Sequence, residues 1–128
     1  MTVVQSAKPS SSNITVTLKR LVALLEEDET DEYGILQPSQ PAFKLAMRLI
    51  LDTYEVMGDF FPRASTSTDE QGGIRLTWSK QSLEREVRLV CPASAEQQAY
   101  LYYENGGNYG LERDVTASIL VQWLEWLN

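Results

Sequence analysis

Four carboxylates in two pairs, Glu84 with Glu86 and Glu104 with Glu112, are the side chains of this chain best spaced for acid–base chemistry. Two carboxyl groups can divide the acid and base roles between them without histidine. For that, one must be desolvated enough to keep its proton near neutral pH. All four fall on segments that read as strand or hairpin surface, so they are expected to be solvated charges and the chain is expected not to be an enzyme.

Other chemistry lacks its residues. The 128-residue sequence contains no histidine and one cysteine, which removes histidine-dependent triads, histidine-ligated zinc and imidazole relays. Cys91 cannot form an internal disulfide or a cysteine-rich zinc knuckle, and it continues the alternating series Val87, Leu89; it reads as a small buried hydrophobe. The run Asn105-Gly106-Gly107-Asn108-Tyr109-Gly110 has the glycines of a phosphate loop. It joins two strand-like segments and carries no basic residue, so a hairpin turn is expected. No metal and no cofactor is expected.

Charge is concentrated. Eleven basic and eighteen acidic residues give a formal net charge of −7. Six of the seven residues 26–32 are acidic (Glu26, Glu27, Asp28, Glu29, Asp31, Glu32), and outside that run eleven basic residues face twelve acidic ones. The acids are consecutive and Gly34 follows too late for an EF-hand calcium loop. The run reads either as a solvated helix end or as an electrostatic lure for a basic partner protein. The basic residues are scattered, so direct nucleic-acid binding is not expected. No apolar run approaches the ~20 residues of a membrane helix, and Met1–Pro9 lack a signal-peptide pattern. No membrane association and a cytoplasmic location are expected.

The elements that must position these residues follow from periodicity. Residues 1–12 read as a flexible polar arm and 13–128 as a single domain. Leu18, Leu21, Val22 and Leu25 predict an amphipathic helix from about Thr15 to Glu27, although Asn13–Leu18 also alternates as a strand would. Residues 28–41 read as a loop ending at Ser39, a suitable helix cap. The helix Gln40–Met57 confines Lys44, Arg48, Asp52 and Glu55 to a stripe about 80° wide. Its remaining side chains, Leu51 and Val56 among them, are nearly all apolar, which predicts a helix covered on more than one side.

The period then changes from 3.6 to 2. Strands are predicted over 63–68, 74–79, 83–91, 97–104 and 109–113, with turns at Gly72-Gly73 and Gly106-Gly107. Asp114 or Thr116 caps a last helix ending at Leu127. The fold class is α+β: an antiparallel meander sheet of four to five strands, with two N-terminal helices and one C-terminal helix packed on one face.

Alternation places Arg75, Thr77, Glu84, Glu86, Arg88, Gln98, Tyr100, Tyr102 and Glu104 on the outer face of that sheet. This is either an ordinary wet face with charges paired across strands or a docking surface, since Tyr and Arg commonly anchor interfaces. Trp78 and Trp123 read as core and Trp126 as a boundary residue that could anchor a partner. The partner-binding candidates are thus Arg75, Arg88, Tyr100, Tyr102 and Trp126, together with the acidic run.

The segments Tyr33-Gly34, Pro38-Ser39, Ala42 with Ala46, Pro62, Gly72-Gly73-Ile74-Arg75-Leu76-Thr77-Trp78 and Glu86-Val87-Arg88-Leu89 resemble a loose group of small uncharacterised bacterial proteins, frequent in cyanobacteria. That group typically carries Trp-Asp-Gly before the Tyr-Gly, where this chain has Asp31-Glu32. The resemblance implies no enzymatic role and no catalytic residue; some such proteins resemble antitoxins, small acidic partners of a toxin.

The expected function is a non-enzymatic, antitoxin-like module that binds a more basic protein. The alternatives are a structural or assembly subunit, such as a homodimer joined through the sheet face or Trp126, and a carboxylate-based enzyme.

Overall fold

A computed structural model describes residues 9–28, 30–32, 34–35 and 37–128. In chain order it comprises α1 (Pro9–Ala23), a minimal ladder of β1 (Thr30–Asp31) and β2 (Gly34–Ile35), and α2 (Gln40–Met57). The strands β3 (Ser65–Thr68), β4 (Ile74–Lys80), β5 (Arg85–Cys91), β6 (Tyr100–Asn105) and β7 (Asn108–Glu112) follow, and α3 (Ala117–Leu127) closes the chain. The last five strands form one antiparallel sheet in sequential order, so the α+β meander expected from periodicity is the observed architecture.

The core lies between the helices and one face of the sheet. Ile74, Leu76, Trp78, Val87, Leu89, Cys91 and Leu101 point inward and are at most 1% exposed. Register aligns them: Leu76 stands opposite Leu89, and Leu89 opposite Leu101. Ala42, Ala46, Leu49 and Ile50 of α2, with Leu120, Leu124 and Leu127 of α3, close over this layer.

Helix α1 begins at Pro9, six residues before the predicted start. Positions 9–12, expected to belong to a flexible arm, form its first turn; residues 1–8 of that arm lie outside the described residues. A helix opening tolerates proline, which has no N–H to leave unpaired. Tertiary partners then override the strand-like alternation of 13–18. Asn13 Nδ2 donates to Phe61 O at 3.3 Å, Ala64 N donates to Thr17 Oγ1 at 3.1 Å, and Arg20 Nη1 donates to Ala64 O at 2.7 Å. These three side chains are spaced i, i+4, i+7, which is one face of a helix and would be scattered along a strand. Trp78 Nε1 donates to Pro62 O at 3.0 Å, so four backbone groups of the irregular stretch 61–64 are met by side chains.

Ser39 caps α2 as expected and ties three loops together. Its Oγ accepts from Ala42 N at 3.1 Å and donates to Ala93 O at 2.8 Å, while its N–H donates to Gly72 O at 2.8 Å. The wet stripe Lys44, Arg48, Asp52, Glu55 is exposed. Cover elsewhere is less complete than predicted: Leu51 and Val56 are 44% and 69% exposed. Leu51 projects about 20° beyond the Lys44 edge of the polar stripe and Val56 about 40° beyond its Asp52 edge, so both flank the wet side and their apolar character does not place them against a neighbour.

Three further expectations are corrected. Residues 28–41 contain the β1–β2 pairing. Leu83, predicted to open the strand 83–91, sits instead in a 3-10 turn over Gln81–Leu83 and is 43% exposed. Glu84 and Gln98 precede β5 and β6 respectively, so they lie off the sheet face; Glu84 takes a left-handed backbone with φ of 53° to turn the chain into β5.

Candidate docking surface on the outer sheet face

The outer face is built from three cross-strand rows. Arg75 pairs with Val90 and Val90 with Tyr100; Thr77, Arg88, Tyr102 and Leu111 form the second row; Ser79, Glu86, Glu104 and Tyr109 form the third. Side chains of successive residues alternate between faces, so these rows look away from the helices. Four candidates from the sequence, Arg75, Arg88, Tyr100 and Tyr102, come together here. Tyr100 and Tyr102 meet edge to face, with centroids 5.7 Å apart and planes at 84°. Burial pushes the Tyr100 phenol above its ordinary pKa; Tyr102 and Asp69 push the same way, and Arg113 and Arg75 oppose them.

The apolar part of the face is concentrated toward β7. Tyr109 is 76% exposed, Tyr102 46% and Leu111 39%. With Glu86, Arg88 and Glu104 they line a groove of about 420 Å³. Tyr109 and Leu111 were absent from the sequence-derived set. The signal for them was available in the hairpin: a two-residue loop at Gly106-Gly107 sets Glu104 opposite Tyr109 and Tyr102 opposite Leu111, as observed. Both glycines have positive φ, 57° and 97°, the backbone such a loop requires.

Charge within the groove is unbalanced. Glu86 stands directly opposite Glu104, an arrangement that disfavours the pair through like-charge repulsion. Arg88 Nη2 donates to Glu86 Oε2 at 3.0 Å. Among the described residues, that is the one ion pair within 4.0 Å, and it leaves Glu104 unneutralised. The structure therefore pairs the carboxylates differently from their sequence neighbourhood. Glu104 and Glu112 lie on opposite faces, because Glu112 pairs with Leu101 on the inner row and its Oε1 accepts from Trp123 Nε1 at 3.3 Å.

A stack of aromatic rings fixes β7 from beneath. Tyr103 stacks on Trp123, and Trp126 meets both rings edge to face. Arg85 Nη1 donates to Trp126 O at 2.6 Å and its guanidinium sits 4.8 Å from the Trp126 ring centroid. Trp126 is half-buried in this cluster, on the helix side of the sheet and away from the other candidates.

The acidic run is elsewhere again. Glu26, Glu27, Asp28 and Glu32 are exposed. Glu29 lies outside the described residues, as does the side chain of Asp31, whose backbone is part of β1. Gln37 Nε2 donates to Leu25 O at 3.0 Å and Glu27 O at 2.7 Å, anchoring the start of the run. Glu27 lines a hollow with Arg20, Ser65 and Thr66, which places it beside β3. The sheet order puts β3 and β7 at opposite edges, roughly 19 Å apart at four strand spacings. Glu27 thus lies at the opposite margin of the sheet from Tyr109 and Leu111, while Arg75, Arg88, Tyr100 and Tyr102 lie on the strands between.

Among the described residues no group of three or more Cys, Asp or Glu is placed to hold a metal ion, and no helix is long and apolar enough to cross a membrane. Compared with protein-family models, with curated proteins and with solved structures, the chain has no match.

Proposed function

We propose that this chain is a non-enzymatic protein-binding module that seats a more basic partner on the outer face of its sheet, the role an antitoxin-like protein has toward its toxin. The observation that carries this reading is the exposed cluster Tyr102, Tyr109 and Leu111 set beside Glu86 and Glu104. An apolar, aromatic patch rimmed by charge is the usual anatomy of a docking site. The net charge of −7 and the acidic run at 26–32 support a basic partner, because a concentrated charge speeds encounter with its opposite. Glu27 of that run lies beside β3, at the other margin of the sheet from the seat.

Gentle purification of the full chain from its native source tests the reading. A stoichiometric partner with a basic isoelectric point is expected, released as salt rises and lost in the variant Tyr102→Ala with Leu111→Ala. Recovery of the chain alone, or of a partner indifferent to that double variant, overturns it.

A further inference from the structure

We propose that β7 takes up an extended basic segment of the partner as a sixth strand, with a Lys or Arg of that segment lying across Tyr109 toward Glu104. This rests on the protein-binding reading and gives its partner a shape and a chemistry.

The strand edge supplies the first argument. Residues flanking a two-residue hairpin loop form the hydrogen-bonded pair, and bonded and non-bonded pairs alternate from there. Asn105 with Asn108, and Tyr103 with Gly110, are therefore the bonded pairs of the β6–β7 ladder. Tyr109 and Leu111 fall between them and aim their N–H and C=O groups away from β6, toward the side where the sheet ends. No turn or loop backbone bond among the described residues involves either residue. The other edge is different: α1 lies along β3, with Arg20 reaching Ala64 O at 2.7 Å. Open edges are commonly guarded by lysine or proline, and Asn108–Glu112 contains neither. An edge of this kind offers main-chain bonds to an incoming strand.

The second argument is charge and reach. The two residues with free backbone groups are also those whose side chains stand exposed on the outer face. A residue opposite Tyr109 on an added strand would sit two strand spacings, about 10 Å, from Glu104. A Lys or Arg stem spans that gap, lays its methylenes on the Tyr109 ring and brings its cation to the unneutralised Glu104 beside Glu86. Pairing of β7 with a second copy would satisfy the backbone but would join two chains of charge −7 and leave Glu104 uncompensated. A basic heterologous strand answers both.

The test uses the full ¹⁵N-labelled chain and a short peptide of alternating Thr and Lys. Its controls are the same peptide with Lys replaced by Glu and with alternate backbone nitrogens methylated. The Lys peptide is expected to shift the amide signals of Tyr109, Gly110 and Leu111. Binding should weaken at least tenfold with either control, and severalfold in Glu104→Gln, an exposed-face substitution that keeps the fold. Equal binding of the Glu or methylated peptide, shifts confined to residues 24–32, no binding, or β7 amides already protected in a dimer detected by sedimentation would each overturn the proposal. If the native partner still co-purifies in those cases, the strand mode alone has failed; if none is recovered, the protein-binding reading has failed with it.

Discussion

Tyr103 lies flat against Trp123, with ring centroids 4.0 Å apart and planes 20° from parallel. The contact joins the β6–β7 hairpin to α3, and it depends on a third residue. Tyr103 crosses Gly110 on the neighbouring strand so closely that a Cβ there would overlap its phenol oxygen and Cζ. The glycine makes room for the stack, and the stack holds the edge strand that carries Tyr109 and Leu111.

Gly110→Ala should therefore displace Tyr103 and open the stack. Forcing extra atoms into a packed site costs about 1–3 kcal/mol. Urea titration followed by tryptophan fluorescence is expected to show a lower midpoint, with a changed near-ultraviolet signal in the native baseline. An unaltered midpoint and spectrum would mean that the ring has another place to go.

Arg85 anchors the end of α3 by its bond to Trp126 O and its contact with the indole. Arg85→Met keeps much of the apolar stem and removes the charged donor. A hydrogen bond from a charged group contributes about 1.5–3 kcal/mol, so a loss on the order of 1–2 kcal/mol is expected after relief of the buried, unpartnered Arg85 Nε. Amide exchange should quicken in the last turn of α3; exchange that stays slow there would remove Arg85 as the anchor.

Burial pushes the Cys91 thiol from its ordinary 9.0 up to about 12. The raised pKa means that the native state holds the neutral thiol more firmly than the unfolded chain does. Its contribution is complete below pH 9 and is lost as pH climbs from 9 toward 12, where the unfolded thiol ionises first. At about 1.4 kcal/mol per pH unit, the effect reaches a few kcal/mol by the upper limit. Unfolding free energy plotted against pH between about 8.5 and 10.5 should fall less steeply in Cys91→Ala than in the parent. Identical slopes would show that the thiolate is tolerated where it sits. Thiol reagents are expected to label Cys91 only at the rate of unfolding.

Glu104→Lys converts the like-charge pair with Glu86 into an opposite-charge pair. Cross-strand charge pairs differ by about 0.2–1 kcal/mol, so the variant should melt slightly higher, with the gain shrinking at about 0.5 M salt. The same variant should lose the basic peptide. A stabilised protein that still binds it would separate Glu104 from recognition.

The α+β meander was legible in the chain because it depends on local periods. Alternation from Ile74 to Cys91, glycines at both tight turns, and the capping serine before α2 each specify structure over a few residues, and the core series Ile74, Leu76, Trp78, Val87, Leu89 follows from alternation alone. The start of α1 was not legible, because Asn13, Thr17 and Arg20 take their bonding partners from residues 61–64, almost fifty positions away. The exposure of Leu51 and Val56 was also misread, since a helical period says which side chains share a face and not what lies opposite.

The candidate site divides in the same way. Arg75, Arg88, Tyr100 and Tyr102 could be assigned to one face from period 2, and counting back through the hairpin would have added Tyr109 and Leu111. Strand order is a property of the assembled sheet. It alone set Glu86 against Glu104, sent Glu112 to the opposite face, and placed Glu27 of the acidic run at the β3 margin. Local sequence carries the alternation of a strand; which strands become neighbours is decided by burial of the whole apolar face at once, and charge positions follow from that.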